Sequence, residues 1–353
     1  MVVGAENDPE TLPLYRVSTA LLLPDARVVV VNAGTNELFF FGRGGEHLRT
    51  VGREGQGPGE FTWPRWADTL PDGRIVVWDG PAFRTHVFSP TGEFIRTTRL
   101  EHSVPAALRT VAEFPGVPHV VGLFGDGSLL IKPSYPTSYV TSRVDGNHLL
   151  PSALIRYSAS GTPIARVTIA AGDEHAVFRG SSMPLPFGRR ALVAANGDRV
   201  FVGSGVNEYR VDVFDANGQH LRAMTRPADL HEVDPADVRL LTARFLSRVV
   251  ERNRAAAAEE LEALELPKHF PVYDALLADA EGNLWVRDFD WPRDDEPQLW
   301  TVFSPQGAWL GSVVTPGGLN LTDISADHIV GVVSDDLGVE TVRVHRISKP
   351  SGF

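Results

Sequence analysis

The chain has 353 residues, 43% of them hydrophobic, including 18 Phe and 7 Trp, enough apolar material for a large core. Its net charge of −11 argues against nucleic acid as a partner, because a basic face is the expected footprint there. Cysteine is absent, which excludes disulfides and thiolate metal sites, and no run of 18 apolar residues offers a membrane-spanning helix.

From the N-terminus, residues 1–14 read as an extension with neither the charged start nor the apolar stretch of a signal peptide. An exported protein whose leader has been removed fits this start, and a periplasmic or extracellular location is the expectation. A strand near Tyr15–Leu22 then enters the body and is expected to help close it. Next comes a phrase that returns six times, a turn ending in Asp-Gly or a near equivalent, followed by β-branched and aromatic residues. Pro71-Asp72-Gly73-Arg74-Ile75-Val76-Val77-Trp78 is its clearest copy. Others start at Pro24-Asp25-Ala26, Gly125-Asp126-Gly127, Ala195-Asn196-Gly197, Ala280-Glu281-Gly282 and, more weakly, Ala326-Asp327-His328.

About a dozen residues after most of these turns a second strand ends in a turn glycine, as at Val87–Gly92, Ile155–Gly161, Val213–Gly218 and Val302–Gly307. Glycine suits tight hairpins because it tolerates positive φ. A third strand follows, and room for a fourth precedes each Asp-Gly turn. Four antiparallel strands in six units predict an all-β, six-bladed β-propeller over 15–349, with a short tail at 350–353.

The spacing of the phrase is uneven. Gly73 and Gly127 are 54 residues apart, but Gly197 and Gly282 are 85 apart. The excess reads as a helical insertion, 228–266, between blades four and five. Asp234-Pro235 is a helix start. Val238, Leu241, Phe245 and Val249 recur on one face, leaving Arg244, Arg248 and Arg252 toward solvent. The run Ala255–Glu262 prolongs or restarts the helix, and Pro267 ends it. The insertion either covers a rim or acts as a lid over the channel.

The loop Val51-Gly52-Arg53-Glu54-Gly55-Gln56-Gly57-Pro58-Gly59-Glu60-Phe61-Thr62-Trp63-Pro64 resembles the connecting loop of bacterial six-bladed propellers related to the NHL repeat. Gly282–Val286 and Asp335–Val344 fit the same resemblance, which covers roughly residues 20–348 outside the insertion. It implies the propeller fold. It implies function only broadly, since related propellers include binding scaffolds, metal-dependent lactonases and lyases. The glycines of the loop do not form a phosphate cradle, because Glu60 and Phe61 stand where a P-loop needs Lys and Ser or Thr.

Chemistry in a propeller gathers where inner strands meet at the central channel. Probable inner strands lie near 17–22, 65–69, 119–123, 189–194, 272–277 and 321–325. From these, a ligand site at one channel mouth is expected: Arg65, Arg189 and Arg190 to pair anions, Trp66 and Tyr273 to stack, His119 and Asp274 to fix polar groups. Arg65, His119, Arg189, Tyr273 and Asp274 come from different blades, so most of them are expected in one pocket. The alternative is a lactonase-like hydrolase or lyase with calcium held by Asp68, Asp274 and Asp323, with Asn320 nearby. Eleven histidines show no zinc-site spacing, and no G-x-S-x-G elbow is present.

Three loop clusters add aromatic and charged groups: Trp63-Pro64-Arg65-Trp66, Met183–Arg190 and Asp288–Glu296. The favoured expectation is a monomeric, non-catalytic binding module without a cofactor. Its partner would be a small molecule or peptide at the channel mouth.

Overall fold

In the computed structural model, residues 1–4, 13–109, 117–292, 296–335 and 337–347 are described. They form six antiparallel sheets arranged as blades. Blade one is Val17–Leu22, Val28–Asn32, Glu37–Phe41 and His47–Val51; blade two is Pro64–Thr69, Ile75–Asp79, Arg84–Phe88 and Phe94–Arg99. Blade four is Leu192–Asn196, Arg199–Gly203, Tyr209–Asp215 and His220–Arg226; blade five is Tyr273–Ala278, Leu284–Asp288, Gln298–Phe303 and Trp309–Thr315. In each blade the first strand is innermost. Those of blades one and two are neighbours, as are those of blades three, four and five, and the first blade's inner strand also meets that of the sixth.

Strand Val17–Leu22 is the inner strand of blade one and meets blade six, so it helps to close the ring as expected, and a further strand, Val2–Val3, completes the closure. These pair with Arg343 and Val342 as the outermost strand of blade six, beside Glu340–Arg346, His328–Ser334 and Asn320–Ile324. Residues 1–4 are therefore part of a blade, not an extension. The tail at 350–353 lies outside the described residues.

The Asp-Gly phrase has a local cause. In three copies the aspartate accepts the backbone N–H two residues on: Arg27 N to Asp25 Oδ1 at 3.2 Å, Arg74 N to Asp72 Oδ1 at 3.1 Å, and Ser128 N to Asp126 Oδ1 at 2.9 Å. The residue after the aspartate has positive φ, +80° at Gly73 and +83° at Gly127. In the first blade this position is Ala26, at φ 63°.

Blade three carries an addition that the repeat spacing had also concealed. Its third and fourth strands, Gly146–Tyr157 and Pro163–Phe178, run well beyond the inner pair Val117–Leu123 and Leu129–Ser134, and Ser181–Pro184 adds a fifth strand. A short helix α1, Thr137–Thr141, packs on this extension through Val140, Leu150, Val177, Tyr135 and Tyr139.

The insertion after blade four is helical, with α2 at Pro235–Ser247 and α3 at Arg254–Glu262. Asp234 accepts from Ala236 N and Asp237 N while Asp237 accepts from Asp234 N, a reciprocal cap with Pro235 in the first turn. No residue of α2 is fully buried, whereas α3 buries Ala257 and Leu261. The helices reach the blade-three extension through Arg179–Glu259 at 2.7 Å and Asn147 Nδ2 to Glu265 O at 2.7 Å.

Candidate functional site

Neighbouring strands alternate in direction, so the blades present two unlike faces. The Asp-Gly turns and the second set of glycine turns share one face, called here the turn face. The connectors between blades lie on the other. That connector face holds the glycine loop 52–63, residues 185–191, the helical insertion and the starts of all six inner strands.

The glycine loop is structural. Arg84, only 3% exposed, donates to the carbonyls of Gln56, Gly55 and Glu60 and pairs with the fully buried Asp79. Asp79 in turn accepts from Thr62 N and Trp63 N. The loop therefore turns carbonyls toward a buried arginine, the reverse of a phosphate cradle.

Beside it, the inner strand of blade two shifts register between Pro64 and Trp66, leaving Arg65 outside the regular ladder. The same irregularity occurs after Val17, Val120, Tyr273 and Leu321. Arg65 is exposed and lies over the Trp63 ring, 3.7 Å from its centroid, with no hydrogen-bond partner for its guanidinium among the described residues.

From Arg65 a series of polar groups runs over four blades, two to five. Burial, with help from Arg65 and Lys132, lowers the His119 pKa and favours the neutral ring; His119 Nε2 lies 2.9 Å from Ser134 Oγ. Lys132 pairs with Asp173 at 3.0 Å, and Asp173 accepts from Ala191 N. Glu174 Oε2 accepts from Arg189 N, and Arg189 reaches Ser204 Oγ at 3.3 Å. Ser204 N donates to the Tyr273 hydroxyl.

Of the expected site residues, Arg65, His119 and Arg189 thus lie along one polar chain on the connector face. Four assignments change. Arg189 and Arg190 precede the inner strand, which begins at Leu192. Arg190 is tied to the carbonyls of Glu174, Arg189 and Leu185, so it braces the loop. Trp66 packs against the core between blades two and three. Tyr273 is fully buried; its hydroxyl donates to Arg210 O, and desolvation pushes its pKa up to about 12, so it offers no stacking face.

Asp274 belongs to the same face but is held at 2.8 Å by Arg287. It stands second in its strand, while Asp68 and Asp323 stand fifth and fourth in theirs, toward the turn face. At about 3.3 Å of rise per residue the three aspartates do not meet. Among the described residues no group of three or more His, Asp or Glu side chains is placed to hold a metal.

Periodicity alone did not reveal an aromatic group on this face. Phe187 lies 4.8 Å from Phe270 and 4.9 Å from Trp291, and Phe270 stacks on Phe289 at 5.6 Å, centroid to centroid. Arg244 of α2, expected toward solvent, instead sits 5.4 Å over Trp291. The indole N–H of Trp291 is buried without a hydrogen-bond partner. Residues 293–295 of the acidic–aromatic cluster lie outside the described residues.

A family model described as a 6-bladed beta-propeller matches residues 10–109. No curated protein matches the chain in sequence. Among solved structures, an exported-protein candidate of Bacteroides fragilis is similar at TM-score 0.51 and 12% identity, over 99% of this chain and 95% of that one. A gluconolactonase of Xanthomonas campestris is similar at TM-score 0.48 and 11% identity, over 98% of each. The virginiamycin B lyase of Staphylococcus aureus has TM-score 0.41 and 11% identity, over 94% of this chain and 81% of its own. No helix among the described residues is long and apolar enough to cross a membrane. The chain is a six-bladed β-propeller.

Proposed function

We propose that the protein is a recognition module that takes a small anionic molecule or peptide on the connector face, and that it works outside the cytoplasm. The observation that carries this reading is Arg65: an exposed guanidinium 3.7 Å over the Trp63 ring, with no hydrogen-bonded acceptor among the described residues. Such a group is pre-oriented for a carboxylate or phosphate, because the ring restricts its motion before the ligand arrives. Arg189 and His119 add donors along the same chain of contacts, and the aromatic group around Trp291 supplies flat apolar surface. A calcium-dependent hydrolase finds less support, since Asp274 is occupied by Arg287 and stands apart from Asp68 and Asp323.

The test is a thermal-shift and calorimetric screen of carboxylated and phosphorylated small molecules and acidic peptides, repeated with Arg65→Ala. A hit should weaken at least tenfold in the variant, while the unliganded melting temperature stays within about a degree. A fall of many degrees without ligand would mark Arg65 as a structural residue and end this reading.

A further inference from the structure

A wide cavity lies at the opposite mouth. It measures about 700 Å³ on the turn face, within the range of small-molecule sites. Its walls include Leu23, Thr69 and Asp323 from the inner ring, and Arg43, His328 and Arg346 from the turns and outer strands.

Charge is sorted across this space. Asp323 accepts from Leu22 N at 2.8 Å through one oxygen, which ties blade six to blade one. Asp68 precedes the wall residue Thr69, whose N–H it accepts at 2.7 Å, and it lies close enough to Asp323 to feel that carboxylate's charge. Neither aspartate has an arginine, lysine or histidine partner among the described residues. The cations are elsewhere: Arg43 and Arg346 are both exposed. Arg43 donates its Nε–H to Asp25 O, and the other guanidinium donors of Arg43 and Arg346 have no hydrogen-bonded acceptor among the described residues. His328 is already paired with the wall residue Asp327 at 2.7 Å, and Asp327 also feels the charge of Arg346, which leaves Arg43 farther from any carboxylate partner named here.

The geometry points to a second binding site in this cavity, for a zwitterion of amino-acid to tripeptide size. Its ammonium group meets the Asp68–Asp323 pair, and its carboxylate meets Arg43 and Arg346. An ammonium supplies a cation with several donors, which neither aspartate has as a partner among the described residues, and two carboxylates together can share them. The two arginines outside then favour a ligand with a negative end over a simple amine. This site is independent of the connector-face reading, and it shares no residue with it.

The probe is triglycine, compared by calorimetry with ethylamine, sodium acetate and calcium chloride at equal ionic strength. Triglycine is expected to bind more tightly than either half-probe. Asp68→Asn and the double variant Arg43→Ala/Arg346→Ala should each weaken it at least tenfold. The arginine variants change exposed side chains, so they keep the test decisive if Asp68→Asn alters the fold. Acetate binding as tightly as triglycine, calcium binding with no response to amines, or triglycine binding that survives both sets of variants would each overturn the assignment. So would failure of triglycine to bind.

Discussion

At the scale of single residues, Asp68 shows how a channel changes acid–base chemistry. Its residue keeps partial surface exposure, yet the carboxyl is shielded enough from solvent for desolvation to dominate. Desolvation pushes its pKa up to about 7, with Asp323 adding to the rise and the Thr69 N–H opposing it. In the unfolded chain an aspartate titrates near 4. The folded state therefore binds the extra proton between about pH 4 and 7, and stability is lost as pH rises through that window. Asp68→Asn should flatten the dependence and leave the variant more stable than the parent above pH 7. Urea midpoints of parent and variant measured from pH 4 to 8 check this as a difference between the two curves, because His86, pushed down to about 4 by burial, acts in the same window with the opposite sign; a difference that does not change with pH would contradict the assignment. In the sequence Asp68 was visible only as one of several inner-strand carboxylates. Its environment depends on neighbours some 250 positions away, and no local pattern records that.

At the scale of elements, the repeating turn is the clearest link from sequence to structure. Asp and Gly recur because the aspartate closes the turn and the next residue needs positive φ. Ala26 is the exception, since it holds φ 63° with a side chain attached. A left-handed L-residue costs roughly 1–2 kcal/mol, partly offset by the extra freedom glycine has when unfolded. Ala26→Gly should therefore stabilise by about 0.5–1 kcal/mol, read as a higher denaturation midpoint with an unchanged slope. The helices at 235–262 were legible for the same kind of reason, from a cap, a proline and a period of three to four. The extension of blade three was not. It consists of the strands themselves grown longer, and longer strands raise no turn signal. Arg244 misled because helical period identifies an apolar face, whereas a guanidinium over an indole belongs to neither the apolar nor the solvated class.

At the scale of the whole molecule, blade number and strand order were readable from the phrase count, but the completion of the ring and convergence were not. The strand that completes the ring is Val2–Val3, too short a segment to show a pattern. Val3 is nonetheless 3% exposed and packs with Phe39, Phe41 and Val342, across blades one and six. Removing residues 1–4 should lower the melting temperature by several degrees and expose the amides of Glu340–Arg346 to hydrogen exchange. Unchanged protection there would show that the ring holds without this strand. Convergence failed for Trp66, Tyr273 and Asp274 because register decides which side of a strand meets the channel, and the inner-strand irregularities shift it within single blades.

Met1 exchanges backbone hydrogen bonds with Val344, at 3.0 Å from Met1 N and 2.9 Å to Met1 O. The two ends of the fold thus lie side by side in one sheet, and the order in which the blades are synthesised is not dictated by their arrangement. A short linker could join these ends, and the chain could be reopened at Val250–Asn253 between the two inserted helices, with every blade kept whole. A circular permutant cut there would build the sixth blade from one continuous stretch of sequence, changing how the ring assembles while leaving what it presents at either mouth the same.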